Sequence, residues 1–395
     1  MGLNLSTSFS TTTPWPKTPG VSGPSSEARV ERFVCPLCGW ETEPNPGLSP
    51  CPSCEVPLRW ERTGLPSGPA FSGRGVWRYR ELLPAVEPVS LGEGGTPLVP
   101  APNPWGLDLW WKLEFLNPTG SFKDRGAAVM VAALRAFGAK ILADDSSGNA
   151  GAALAAYAAR AGLRAKLFVP AYASGAKLRQ IEAYGAKLVR VSGTRSAATH
   201  AVRNACTANP QLTYASHNAS PYFVAGLQTL AFEIAEDLGW RVPDHLVVPV
   251  GGGGLFLGLA YGFMTLFRLG WVKKVPRIHV VQAEACAPVV LALRQGAARP
   301  VSVEAGETVA EGVRIPAPER GQEILRVAHE VGSVGVTVSD AEILQAQRDL
   351  ARAGLYVEPT AAVAPAGLAK LIQAGVIRSG ESVVLPLTGF GLKAG

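Results

Sequence analysis

Charge is scarce in this chain. Only 17% of its 395 residues are Asp, Glu, Lys or Arg, against 47% hydrophobic, so a large buried core is within reach and the length allows two or three domains. Bases number 37 and acids 31, a formal charge of +6 with a pI near 9.0. The excess is mostly arginine scattered along the chain. With no basic stripe to track a polyphosphate backbone, nucleic acid is not an expected partner, while a mildly cationic surface suits anionic substrates and cofactors. Cysteine is scarce too. Of six, Cys206 and Cys286 stand alone and four form one compact pattern. That is no secreted disulfide framework, and it points to a reducing compartment, taken to be the cytoplasm. No apolar core of a signal peptide follows Met1 and no arginine precedes Arg29, so neither export nor an organelle transit peptide is expected. One uncharged run, Leu246 to Phe267, is long enough to span a bilayer. Pro249 and four consecutive glycines interrupt it, and lipid-exposed backbone there could not satisfy its hydrogen bonds, so no membrane partner is expected. No internal repeat is present.

Residues 1–30 are rich in Ser, Thr, Pro and Gly and almost free of charge, the composition of a disordered tail. Met1-Gly2 with Ser6 fits the short myristoylation pattern, which a floppy terminus meets by chance. Residues 31–60 read as a separate mini-domain and 61–85 as a linker with turn-forming Gly and Pro, anchored to the main body by Trp77-Arg78-Tyr79. From residue 86 to 395 strands and helices alternate. Helices are expected at Asp124–Phe137, Ala150–Ala161 and Ala176–Tyr184, the first two stopped by Gly138 and Gly162. Strands are expected at Ile141–Ala143, Ala165–Val169, Lys187–Val191, His245–Val250, Arg277–Gln282 and Ser382–Leu387. Few of them alternate polar with apolar, as strands covered on both faces do not. The expected class is α/β, with two doubly wound parallel-sheet domains preceded by a small metal ribbon.

Cys35-Pro36-Leu37-Cys38 and Cys51-Pro52-Ser53-Cys54 are two CxxC pairs twelve residues apart. Each pair can sit on a turn that offers two thiolates, and four thiolates close a tetrahedral shell with no open position for chemistry. Structural zinc is favoured over iron, and the pairing of two motifs argues against a redox CxxC. A segment this short cannot fold on an apolar core alone, so the metal is the staple.

Four further motifs belong together. Lys123 lies in Asn117-Pro118-Thr119-Gly120-Ser121-Phe122-Lys123-Asp124-Arg125-Gly126, a tight turn opening an apolar helix. A desolvated lysine there has a lowered pKa and can form a Schiff base, with Phe122 placed to pack beside a cofactor ring. Asn149 follows Ser146-Ser147-Gly148 between a strand and an alanine-rich helix. Its amide can reach a ring hydroxyl, or cap the helix, while Ser146, Ser147 and Gly148 can hold a substrate carboxylate at the helix start. Gly251, Gly252, Gly253 and Gly254 run from a strand into an apolar helix, where bare N–H groups can close around a phosphate. The dinucleotide pattern fails, since the third glycine position is Phe256. Thr388 ends the last strand, and a hydroxyl beside a pyridine nitrogen leaves the ring largely unprotonated, a milder electron sink. Amine, amide, phosphate nest and late hydroxyl, in that order, are what an enzyme needs to hold and use pyridoxal phosphate.

With these residues assembled, the chain from about Trp77 to Lys393 resembles threonine synthase and its relatives among the fold type II, tryptophan-synthase-like, pyridoxal-phosphate enzymes. The most specific segments are Leu91-Gly92-Glu93-Gly94-Gly95-Thr96-Pro97-Leu98, Pro118 to Arg125, and Leu387-Thr388-Gly389-Phe390-Gly391-Leu392-Lys393. The resemblance implies Lys123 as Schiff-base lysine, Asn149 at the ring hydroxyl, Gly251–Gly254 at the phosphate and Thr388 at the ring nitrogen. It further implies a mobile subdomain at about 120–220, a homodimer, and conversion of O-phosphohomoserine and water to threonine and phosphate. Two departures point to an alternative, ammonia loss from serine or threonine, or β-replacement on a hydroxy- or phospho-amino acid. The loop reads Ser147-Gly148-Asn149-Ala150 instead of Gly-Asn-Thr, and the arginine that grips substrate phosphate in such enzymes is here Phe223. Lys177, Arg179 and His217 are the candidate replacements.

Overall fold

The computed structural model describes residues 29–173 and 175–394. The expected tail, with Met1-Gly2 and Ser6, lies outside the described residues apart from Arg29 and Val30. Three sheets organise the rest. A three-stranded antiparallel ribbon has the order Glu41–Thr42, Glu31–Val34, Arg59–Arg62. A four-stranded parallel sheet has the order Lys187–Val191, Arg164–Pro170, Ile141–Asp144, Leu212–Tyr214. A six-stranded sheet runs Gly335–Val338, Arg277–Ala283, His245–Pro249, Ser382–Pro386, Asp108–Lys112, Leu98–Pro100, parallel throughout except for its last pair.

The large sheet is buried on both faces. Leu246 and Val248 point into one core, beneath the helices Gly254–Arg268 and Gly321–Glu330. Val247, between them, points into the other, beneath Asp340–Arg352 and Pro359–Gln373. Side chains that alternate across a strand reach apolar cover either way, so the strand reads as a continuous apolar run. Expected helices are found at Lys123–Ala136, Asn149–Arg160 and Ala176–Ala183. The uncharged run Leu246–Phe267 is strand, glycine loop and buried helix, and no helix among the described residues is long and apolar enough to cross a membrane. In the two larger sheets four short strands go beyond the expectation: Leu98–Pro100, Asp108–Lys112, Leu212–Tyr214 and Gly335–Val338. Asp108–Lys112 carries a charge at each end, and Lys112 is buried only because other segments supply its partners.

Those partners form a buried ionic cluster. The Arg125 guanidinium donates to both carboxylate oxygens of Glu114, each at 2.7 Å, and to Glu233 at 2.6 Å. Lys112 donates to Glu233 at 2.9 Å, to Asp237 at 2.6 Å and to the Thr96 carbonyl at 2.6 Å. The Thr96 hydroxyl donates to Glu114 at 2.6 Å. Arg125, Lys112 and Glu114 are wholly buried, and the paired charges raise the Arg125 pKa well above normal against the opposing pull of burial. Replacing Arg125 by Met leaves the buried Glu114 without its cation and takes one of two from Glu233, so a loss of about 3–5 kcal/mol is expected in urea unfolding. Pairing it with Glu114→Gln should cost less than the sum of the two single changes, as for members of one network.

Candidate active site

The lysine turn is held from three directions. The Asp124 carboxylate accepts the Thr119 N–H at 2.6 Å and the Thr119 hydroxyl. The Lys393 ammonium donates to the Thr119 carbonyl at 2.5 Å. Phe122 N–H donates to the Thr388 carbonyl at 3.1 Å, and Ser121 bridges Gly389. Gly120 has φ +84 and stands against the Lys393 side chain, where a Cβ would lie 3.0 Å from Cδ, so only glycine suits it. Lys123 is the first helical residue. Its amine lies 4.6 Å from the centre of the Phe122 ring and 5.9 Å from that of Phe223, with no hydrogen bond or ion pair among the described residues. Burial, and then the Arg195 charge, lower its pKa to about 8, so a useful fraction is neutral and nucleophilic near neutral pH.

Asn149 also opens a helix, but its side chain does not cap it; Gly148 occupies the cap position without side-chain help. The Asn149 amide instead donates to Glu358 Oε1 at 2.8 Å, and its own Oδ1 is buried without a partner. Glu358 is ion-paired with Lys177 at 3.3 Å, and its N–H donates to the Gly389 carbonyl at 2.9 Å. Asn149, Glu358, the Thr388-Gly389 strand end and the lysine turn therefore meet. The Thr388 and Ser121 hydroxyls are buried there without hydrogen-bond partners, as expected where a polar ligand supplies them. Ser146 is buried, with Oγ accepting the Gly148 N–H at 3.3 Å, while Ser147 and Gly148 remain half-buried.

The glycine run turns between the strand His245–Pro249 and the helix Gly254–Arg268. A Cβ would fall 2.7 Å from the Gly312 carbonyl at Gly251, 2.3 Å from Asn218 Oδ1 at Gly252 and 2.2 Å from Ile324 at Gly253. Gly253 also has φ +86. A side chain at any of these three positions would collide with its neighbours, so the cradle is bare backbone. Lysine, unsatisfied hydroxyls, free amide oxygen and bare cradle fit pyridoxal phosphate on observations that do not depend on any relative.

Phe223 forms a wall beside Lys123. It is fully buried, and a Cβ on Gly126 would sit 2.7 Å from its ring, so the lysine helix and the helix Pro221–Leu227 touch along this ring. His217 meets it edge-on, with centroids 6.0 Å apart, and contacts Asp144 at 3.1 Å. Burial foremost, then the Lys123 and Arg195 charges, push the His217 pKa to about 3. Burial likewise raises Asp144 to about 6. Of the candidate replacements for an arginine at 223, Lys177 is paired with Glu358, Arg179 is exposed and His217 is neutral.

At the far side of that helix stands the ribbon. The thiol sulfurs of Cys35, Cys38, Cys51 and Cys54 all lie within 4.8 Å of one another. Four sulfurs at ~2.3 Å from one ion would be separated by about 3.8 Å, and Cys38 and Cys51 are 3.6 Å apart. Gly39 and Glu55, one residue past each pair, have φ of 77 and 56, closing the two turns. The ribbon packs Phe33 edge-on against Tyr222 at 5.1 Å. The buried Arg320 ties it down, donating to the carbonyls of Leu58 (3.0 Å), Ala219 (2.8 Å) and Asn218 (2.8 Å). In the linker, Tyr79 is wholly buried and its hydroxyl donates to Glu236 at 2.5 Å.

Sequence reasoning misses Glu358, Asp144 and Arg195. Glu358 has a signal: it is the single charged residue between Arg352 and Lys370, placed just before a helix-starting proline. Comparisons with known proteins agree with the geometry. The family model described as pyridoxal-phosphate dependent enzyme matches residues 89–389. The threonine synthase of Methanocaldococcus jannaschii is 38% identical over 328 residues, 81% of this chain and 80% of its own. That of Methanosarcina acetivorans is 40% identical over 326 residues, 80% of each. Among solved structures, a threonine deaminase from T.th. is 31% identical, with a TM-score of 0.60 over 72% of this chain and 88% of its own. A fungal L-serine ammonia-lyase from Rhizomucor miehei shares the fold at 24% identity, with a TM-score of 0.67 over 77% of this chain and 95% of its own. A lysine turn, a bare glycine cradle and unsatisfied groups between two parallel sheets thus coincide with a relationship that spans four-fifths of the chain, and the protein belongs to the threonine synthase family of pyridoxal-phosphate dependent enzymes.

Proposed function

We propose that this chain is a lyase converting O-phosphohomoserine and water to threonine and phosphate. The observation that carries this reading is identity of 38% to 40%, over four-fifths of both chains, to proteins named threonine synthase. Pyridoxal phosphate, when bound, supplies an electron sink for charge developing at the substrate Cα. The rest is the work of this chain. Lys123 supplies the amine that holds the cofactor and, once freed by substrate, takes and returns the Cα proton as general base. Phe122 packs beside the ring. Asn149 binds the ring hydroxyl, and the N–H groups of Gly251 to Gly254 hold the cofactor phosphate at a helix start where the dipole favours an anion. Thr388 meets the ring nitrogen with a hydroxyl, which does not force protonation and so favours elimination and replacement. Ser146, Ser147 and Gly148 receive the substrate carboxylate.

The same reading takes residues 31–60 as a zinc ribbon, 61–85 as a linker and 86–395 as the catalytic region. Within it the segment at about 120–220 closes over bound substrate. The working form is a cytoplasmic homodimer. A second reading, ammonia loss from serine or threonine or β-replacement, is favoured by Phe223, by the Ser-Gly-Asn loop and by the likeness to a threonine deaminase.

Incubation of the holoenzyme with O-phosphohomoserine should release phosphate and threonine. Release of 2-oxobutanoate from L-threonine, with no phosphate from O-phosphohomoserine, would establish the second reading instead. Lys123 gives a pH test. Its neutral form is the reactive one, so pyridoxal phosphate incorporated into cofactor-free protein and trapped by borohydride should rise with pH to a midpoint near 8, not 10.5. Lys123→Ala should abolish the labelled peptide. Metal analysis should find one zinc per chain, and Cys38→Ser should lower both metal content and melting temperature; visible absorbance from bound iron would overturn the zinc assignment.

A further inference from the structure

Glu358 occupies a position where an acid has an ordinary use and does not take it. It is the cap residue of the helix Pro359–Gln373, where a carboxylate commonly accepts N–H groups of the first turn. Its side chain makes no such bond. It is buried instead, with Oε1 accepting the Asn149 amide N–H at 2.8 Å and Oε2 lying 3.3 Å from the Lys177 ammonium. We infer that Glu358 is a positioning residue of this site: it fixes the orientation of the Asn149 amide and so decides which of its polar atoms meet the ring hydroxyl of the cofactor. This rests on the cofactor placement proposed above and is independent of which amino acid is the substrate.

The chemistry of the pair sets the orientation. A carboxylate only accepts, so the end of Asn149 that faces it is Nδ2. The second N–H, and Oδ1, which is buried without a partner, are left for a ligand. The two ends of an amide are nearly equal in size, so packing alone does not choose between them, whereas a fixed acceptor does.

The acid is itself held in place. Its N–H donates to the Gly389 carbonyl at 2.9 Å, and the preceding Val357 bridges Phe390. The carboxylate lies directly on Gly389, where a Cβ would fall 2.2 Å from Oε1. Glu358 therefore braces both Asn149 and the strand end that carries Thr388, the two groups placed at the ring hydroxyl and the ring nitrogen. It also joins two layers. Asn149 and Lys177 lie in the first turns of two helices that pack on each other, the first of them also on the small sheet, while the helix after Glu358 packs on the large sheet. Lys177 keeps the buried charge paired. At Lys123, whose pKa is lowered most by burial and next by the Arg195 charge, the Asp144 and Glu358 charges pull the other way.

The test is titration of cofactor-free protein with pyridoxal phosphate, followed by absorbance. Wild type is compared with Glu358→Gln, Glu358→Asp, Asn149→Ala and the double variant of Glu358→Gln with Asn149→Ala. Gln has the size of Glu but donates as well as accepts, which frees the Asn149 amide to turn. Glu358→Gln should weaken cofactor binding about ten- to hundredfold, the worth of hydrogen bonds to a charged group. In the Asn149→Ala background it should cost nothing further, because Glu358 acts through that amide. The pH midpoint of borohydride-trapped incorporation should fall below that of wild type in Glu358→Gln, since loss of a negative charge disfavours the ammonium form of Lys123. Glu358→Asp keeps the charge but ends one methylene short of the amide, so it should lose affinity while holding the midpoint. A residue that only supported the fold would not separate the two readouts in this way. Wild-type affinity in both Glu358 variants, costs that add in the double variant, or a midpoint unmoved by Glu358→Gln overturns the assignment. If Asn149→Ala binds cofactor as wild type does, the placement of Asn149 falls and takes the role of Glu358 with it. If Asn149→Ala weakens binding and neither Glu358 variant does, the placement stands and the role of Glu358 alone falls.

Discussion

The bidentate pairing of Arg125 with Glu114 sets the position of everything that follows it. Arg125 is two residues beyond Lys123, on the first turn of the same helix, so fixing its guanidinium fixes the direction in which the amine emerges. Glu114 belongs to the segment after the strand Asp108–Lys112, Glu233 to a helix of the opposite layer, and Thr96 to the Glu93-Gly94-Gly95-Thr96-Pro97 turn. One buried cation thereby locks three remote segments and the lysine turn into a single register. Ionic groups of this kind are costly to desolvate, and hydrophobic replacements can match their stability. What an apolar cluster could not supply is direction: five N–H donors on one plane accept partners only at defined angles.

A chain so poor in charge spends a large part of its buried charge around one turn. Lys123, Asp124, Arg125, Lys393 and Glu358 converge on it, and burial moves Lys123 and Lys393 down and Asp124 up. Each shift follows from removing water and not from a single strong ion pair. The site is therefore dry enough for amine chemistry near neutral pH while remaining polar enough to bind a polar cofactor.

Chain-local features are legible without coordinates. Gly138 and Gly162 mark helix ends within a residue or so, paired CxxC motifs announce the sulfur cluster, and continuous apolar strands announce a sheet covered on both faces. Asn149 reads as either ligand or cap, and its contact with Glu358 shows its side chain turned away from the cap. Residues joined only by topology stay hidden. Asp144, Arg195 and Glu358 lie on three different elements, and no spacing rule brings an acid at 358 to an amide at 149. The strand Asp108–Lys112 is missed for the same reason: a lysine ending a short strand reads as solvated until Glu233 and Asp237 arrive from over a hundred residues away.

Arg320 has a consequence of its own. One nitrogen of its guanidinium donates both to the Leu58 carbonyl of the ribbon and to the Ala219 carbonyl, while Nε holds the carbonyl of Asn218, whose side chain abuts Gly252. Tyr222 and Phe223, adjacent in one helix, face the ribbon and the amine respectively. The small N-terminal module is thus a buttress, not an appendage: it presses on the back of the partition whose front surface shapes the reaction chamber. The sulfur cluster and the chamber thus share one wall, with two adjacent aromatic residues and one guanidinium as the whole thickness between them.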